Sequence, residues 1–101
     1  MIVKVFYKNV VTDELEYYAD IKTSLTGEDA CEYAFRRTSW SMGQYYDDGE
    51  TNYDYDPDIT VKKPLEMYNG KFYGHRSSMV GDVFEIDGVR YECRRMGFKK
   101  I

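Results

Sequence analysis

Asp82-Val83-Phe84-Glu85-Ile86-Asp87-Gly88-Val89-Arg90-Tyr91-Glu92-Cys93 is the stretch whose reading decides the fold. Asp87-Gly88 suits a two-residue type I′ turn, which needs two consecutive residues at positive φ. On one side of it Val83 and Glu85 alternate with Phe84 and Ile86. On the other, Val89, Tyr91 and Cys93 alternate with Arg90 and Glu92. A period of two on both flanks of such a turn predicts an antiparallel hairpin. Downstream, Met96-Gly97-Phe98 is expected to bend the chain before Ile101.

Working outward, residues 65–81, punctuated by Gly70, Gly74 and Gly81, read as an irregular connection, long for a compact domain. Before it, Pro57 and then Ile59-Thr60-Val61 predict a short strand ended by Pro64. At the start of the chain, Val3, Val5 and Tyr7 oppose Ile2 and Phe6, which predicts a strand covered on both faces. Asn9 to Asp13 reads as a turn, and Glu14 to Ile21 alternates again. Leu15, Tyr17, Ala19 and Ile21 should face one way, with Glu14, Glu16, Tyr18 and Asp20 facing the other. These two segments predict an opening hairpin.

Between the hairpins, the spacing of Ala30, Tyr33, Ala34 and Phe35, with Cys31 at the edge, predicts an amphipathic helix over Gly27 to Arg37. Thr26 is the expected N-cap, with Asp29 in the place of a capping-box acid. Glu28 and Asp29 suit the positive end of the helix dipole, and Arg36 and Arg37 the negative end. The stripe is expected to lie on the opening hairpin, with Trp40 and Met42 closing one end of the core. The element order ββ-α-β-ββ predicts an α+β fold: a mainly antiparallel sheet with one principal helix.

At 101 residues the chain is long enough for one domain, 1–101, and with 17% aromatics, eleven of them tyrosine, it is expected to fold. Its apolar runs are too short to span a bilayer. Met1-Ile2-Val3-Lys4-Val5 lacks the charged start, long apolar middle and cleavage site of an export signal. A cytoplasmic setting is therefore expected, with Cys31 and Cys93 reduced. One histidine and two scattered cysteines do not make a four-ligand zinc site, and no cofactor is expected.

The net charge of −4 is unevenly distributed. Tyr45 to Asp58 carries six carboxylates (Asp47, Asp48, Glu50, Asp54, Asp56, Asp58) and no basic residue. The rest holds fourteen basic and twelve acidic side chains. Asp54, Asp56 and Asp58 copy the first three ligand positions of an EF-hand loop, but Ile59 and Leu65 stand where its glycine and bidentate glutamate belong. Interleaved Tyr45, Tyr46, Tyr53 and Tyr55 offer rigid contact area beside the negative charge. Such a surface suits a partner groove built to hold a phosphate backbone. A second candidate is the basic C-terminal hairpin, where Arg90, Arg94, Arg95, Lys99 and Lys100 with Tyr91 and Phe98 could bind nucleic acid. His75-Arg76-Ser77-Ser78 invites a nucleophile reading, yet no G-x-S-x-G or Cys-His-Asn set accompanies it, and a turn is expected there.

His75-Arg76-Ser77-Ser78-Met79-Val80-Gly81-Asp82-Val83, followed by Asp87-Gly88, Tyr91-x-Cys93 and Gly97-Phe98, resembles a pattern found in small proteins of phages and mobile elements. There it runs approximately R-S-x-S-V-G-D-V, then a short hairpin, then G-F. Met79 departs from it, and Tyr45–Asp58 is an elaboration of this chain. The resemblance carries no assigned activity and no site residues. It implies a short accessory protein at work in the host bacterial cytoplasm. The expectation that follows is a non-enzymatic protein that binds and inhibits a host protein, of the anti-CRISPR type, docking its acidic segment on a nucleic-acid-binding groove. The alternatives are a nucleic-acid-binding accessory factor using the basic hairpin, or a self-assembling structural phage protein.

Overall fold

The computed structural model describes residues 1–39, 57–63 and 77–101, together with the strands at 66–68 and 71–73. Its elements are β1 (Ile2–Lys8), β2 (Leu15–Lys22), α1 (Gly27–Arg37), β3 (Ile59–Val61), β4 (Glu66–Tyr68), β5 (Lys71–Tyr73), β6 (Val83–Ile86), β7 (Val89–Cys93) and β8 (Phe98–Lys100). Six strands form one antiparallel sheet in the order β3-β2-β1-β6-β7-β8, and β4 pairs with β5 separately. The α+β reading holds, with one helix against one face of the sheet.

The hairpin that decided the fold pairs Val83 with Glu92 and Ile86 with Val89 around Asp87 (φ 50°) and Gly88 (φ 79°). Both turn residues sit at positive φ, as the type I′ geometry requires. β6 then docks on β1, with Val5 opposite Phe84, so the N- and C-terminal hairpins become one sheet. Three strands escape the sequence reading. β4 and β5 lie within residues 65–81, expected to be irregular, and the Asn69-Gly70 pair between them is the signal for that hairpin. β8 replaces the expected bend: Gly97, at φ 83°, closes a tight return and Phe98–Lys100 pairs with β7.

Two corrections concern the opening hairpin. Its register slips between Val5, opposite Ala19, and Phe6, opposite Tyr17, which leaves Tyr18 as the extra residue of a β-bulge. The bulge reverses the phase of the alternation. Tyr18 turns into the core beside Ala19 and Ile21, while Tyr17 and Leu15 face outward. Inside, Tyr18 stacks on Tyr7 with ring centroids 3.9 Å apart. Nor is β1 covered on both faces: Val3, Val5 and Tyr7 are buried, whereas Ile2 is 47% exposed. Phe6, on the outer face, is covered in part by Tyr17, stacked at 5.1 Å, and by the Arg90 guanidinium, 4.9 Å from its ring centroid.

The helix occupies Gly27–Arg37 as its periodicity dictates, burying Ala30, Cys31 and Ala34. It packs on β1, β6 and β8 instead of on the β1–β2 pair alone. Phe35 is the reason: it meets Phe84 of β6 and Phe98 of β8 at 6.3 and 6.2 Å, and those two rings meet edge-on at 5.4 Å. Thr26 stands at the N-cap position but makes no side-chain cap bond, so neither it nor Asp29 forms the expected capping box. Trp40 and Met42 lie outside the described residues. No helix among the described residues is long and apolar enough to cross a membrane.

The outer face of the sheet is solvated by charge alternation. In one row across the strands, Asp20 stands opposite Lys4, Lys4 opposite Glu85, and Glu85 opposite Arg90. Opposite charges facing each other across strands stabilise a sheet, where like charges would weaken it. Tyr17 donates from its hydroxyl to Asp20 on this face. Burial, that hydrogen bond and the nearby carboxylates of Asp20 and Glu85 push its phenol up to about 12.

Candidate functional site

Of the acidic segment, Tyr45, Tyr46, Asp47, Asp48, Glu50, Tyr53, Asp54, Tyr55 and Asp56 lie outside the described residues. Asp58 is within them, exposed, with its carbonyl accepting the Lys22 N–H at 2.8 Å. The flanks of the segment are firmly held. Upstream, Thr38 is fully buried at the helix C-cap, its N–H donating to Ala34 at 3.0 Å. Downstream, Ile59 opens β3 and pairs with Ile21.

The five cations of the second candidate do not converge. Arg90 is held by Glu85 at 2.9 Å and lies over Phe6, and Arg94 is paired with Glu92. Lys99, opposite Glu92, points to the outer face, while Lys100, opposite Tyr91, points to the helix side. Arg95 sits in the Arg94–Gly97 return, closed by the Arg94 N–H donating to Gly97 at 2.9 Å. Arg90 and Arg94 are thus occupied within the fold.

Of the serine-histidine stretch, His75 and Arg76 lie outside the described residues. Ser78 is buried, and its hydroxyl bonds to Thr38 Oγ1 and to the Tyr7 hydroxyl, 3.1 Å away. Its N–H also donates to the Thr38 carbonyl at 3.2 Å. Thr38 Oγ1 in turn donates to the Ala34 carbonyl at 2.8 Å. The hydroxyl that invited a nucleophile reading therefore ties the end of α1 to β1. Asp82, with 0% exposure, does the same for the turn before β6. Its carboxylate accepts the Lys8 N–H at 2.9 Å and the Met79 N–H at 2.8 Å, and its carbonyl accepts Cys93 N–H at 2.8 Å. Chain reversal, β1 and β7 meet on this one residue.

The sequence reading missed a groove of about 420 Å³ between α1 and the β7–β8 return. Glu28, Asp29 and Glu32 line its helix side, Arg95 lines the return, and Phe35 and Phe98 supply apolar lining. In the sequence Glu28 and Asp29 read only as complements to the helix dipole, and Glu32 carries no such signal. Their second role depends on β8, the strand that the sequence did not disclose. Cys93 also lines the groove as a buried, free thiol; burial and the charges of Asp82 and Glu92 raise its pKa. Cys31 is likewise free and fully buried, and burial, reinforced by Glu28, pushes its thiol up to about 12. Neither is therefore an activated thiolate, which would need a depressed pKa.

No protein-family model, curated protein or solved structure matches the chain.

Proposed function

We propose that the protein is a non-enzymatic accessory protein of a phage or mobile element. It binds and inhibits a host protein, of the anti-CRISPR type, by presenting Tyr45–Asp58 to a basic nucleic-acid-binding groove. The observation that carries this reading is the charge density of Tyr45–Asp58, six carboxylates in fourteen residues. Within the scaffold, Asp13, Glu16, Asp20, Glu85 and Glu92 are each paired with a lysine or arginine. The six carboxylates of Tyr45–Asp58 have no basic residue in their own segment and stand between two firmly anchored elements. A dense negative run with interleaved tyrosines matches a surface that ordinarily receives phosphates. Against an enzymatic role, Ser78, Thr38 and Asp82 are already engaged in holding the fold. Against the basic-hairpin reading, two of its cations are engaged in internal ion pairs.

The test is capture from a host lysate by the full chain, with and without added duplex DNA. A variant carrying Asp47→Asn, Asp48→Asn, Glu50→Gln, Asp54→Asn, Asp56→Asn and Asp58→Asn serves as the comparison. Nucleic-acid-binding proteins should be captured by the native chain, displaced by duplex DNA or high salt, and absent from the variant. Equal capture by the variant, or indifference to DNA, refutes the reading. A gel shift at low salt that disappears with Arg94→Ala and Arg95→Ala would favour the rival.

A further inference from the structure

We propose that the groove beside β8 is a docking site for an extended peptide segment of a partner protein, added as a seventh strand and carrying a lysine or arginine on its inward face. β8 ends the six-stranded sheet, and no described strand pairs with its outer edge. The hydrogen-bond phase of that edge follows from its neighbours. Arg94 N–H donates to Gly97 O and Ile101 N–H donates to Arg90 O, each at 2.9 Å. In an antiparallel ladder such bonded pairs recur every second residue, so Lys99 points its backbone groups toward β7. Phe98 and Lys100 accordingly point theirs outward, giving two N–H and C=O sets for an incoming strand.

The side-chain chemistry of the groove selects the occupant. A residue of the added strand that stands beside Phe98 on the helix side projects into the space between Phe98, Phe35 and the α1 carboxylates. Glu28, Asp29 and Glu32 are exposed and make no ion pair among the described residues. A lysine or arginine fits both parts, laying its stem on the rings and its charge against the carboxylates. Arg95, across the groove, adds a preference for an acidic neighbour at the other end of the segment. A second copy of β8 is the wrong occupant, because antiparallel pairing of two such edges in full overlap would set Lys99 opposite Lys99.

The experiment begins with selection from a random dodecapeptide library on the folded full chain, followed by anisotropy titration of the best synthetic peptide. Enriched peptides should alternate in polarity and carry a lysine or arginine. Their affinity should fall about tenfold or more on Glu28→Gln with Glu32→Gln. It should be unchanged on Glu14→Gln in the β1–β2 loop. Both altered side chains are exposed, so the fold is retained and circular dichroism checks it. Hydrogen exchange should slow at the Phe98 and Lys100 amides when the peptide binds. The proposal is overturned if no peptide is enriched, if affinity ignores the double variant, or if protection appears elsewhere. It is equally overturned if sedimentation shows the edge of β8 occupied by a second copy.

Discussion

Replacing Asp82 separates a structural carboxylate from a functional one. The side chain is fully buried and accepts the Lys8 and Met79 N–H groups at 2.9 and 2.8 Å. Hydrogen bonds to a charged group contribute about 1.5–3 kcal/mol each, and a buried donor left without a partner costs about 1–3 kcal/mol. Asp82→Ala removes the acceptors of two part-buried backbone donors at once, so the expected loss is about 3–6 kcal/mol. Asp82→Asn keeps one acceptor but turns an NH₂ toward the other donor, which should cost about half as much. Domains of this size are stable by about 5–15 kcal/mol, so the alanine variant stands near the limit of folding. Urea denaturation followed by far-ultraviolet circular dichroism measures both, provided the slope with denaturant is unchanged. The expected order of stability is wild type, then Asn, then Ala. A loss under about 1 kcal/mol for Asp82→Ala would refute the structural assignment and return the carboxylate to consideration as a site residue.

Three more outcomes are expected. In a double-mutant cycle, Thr38→Val and Ser78→Ala should each destabilise by about 1–2 kcal/mol and couple by about 1 kcal/mol, because they share one hydrogen bond; additivity in urea melts would contradict that contact. Gly88→Ala, at φ 79°, should lose about 1–2 kcal/mol, since a Cβ is disfavoured there even though nothing lies within 4 Å to clash with it; an unchanged melting midpoint would count against the type I′ turn. Raised thiol pKa values mean that the unfolded chain loses its protons first as pH rises, so the contribution of Cys31 is complete below the ordinary thiol range of about 8.5 and declines as pH climbs toward about 12. Cys31→Ala should flatten the alkaline end of the stability profile, and an equally steep decline in that variant would show that the thiol is not its source.

How much of this was legible depended on whether the signal was local. The Asp87-Gly88 hairpin and the Gly27–Arg37 helix are set by turn chemistry and by side-chain period, both properties of neighbouring residues, and both stand where the sequence put them. Tyr18 shows where local reading fails. Strict alternation sends it outward, but a bulge is a decision of the paired strand, made because Tyr7 and the core reward the inward ring. β8 was hidden for a related reason: three residues with two lysines carry little strand signal, and Phe98 becomes a strand residue by meeting Phe35 and Phe84. The groove followed β8 out of sight, since its walls come from α1 and a return that are 59 residues or more apart in sequence, as Phe35 and Arg94 are.

The same distinction bears on the stretch of residues 77–83. Ser78 and Asp82, its two most chemically suggestive residues, direct their polar atoms inward, to Thr38 and Tyr7 in one case and to the Lys8 and Met79 amides in the other. Gly81, at φ 98°, is needed for the reversal between them, and its N–H donates to Cys93 at 2.9 Å. A pattern with a hydroxyl, a left-handed glycine and a carboxylate at these spacings is a device for joining β1, the helix end and β7 at one corner. Outside this corner lie the six-carboxylate segment between α1 and β3 and the charged groove between α1 and the β7–β8 return. The two can be separated by experiment, because neutralising Asp47 to Asp58 leaves Glu28 and Glu32 untouched, and altering those two leaves the acidic segment whole.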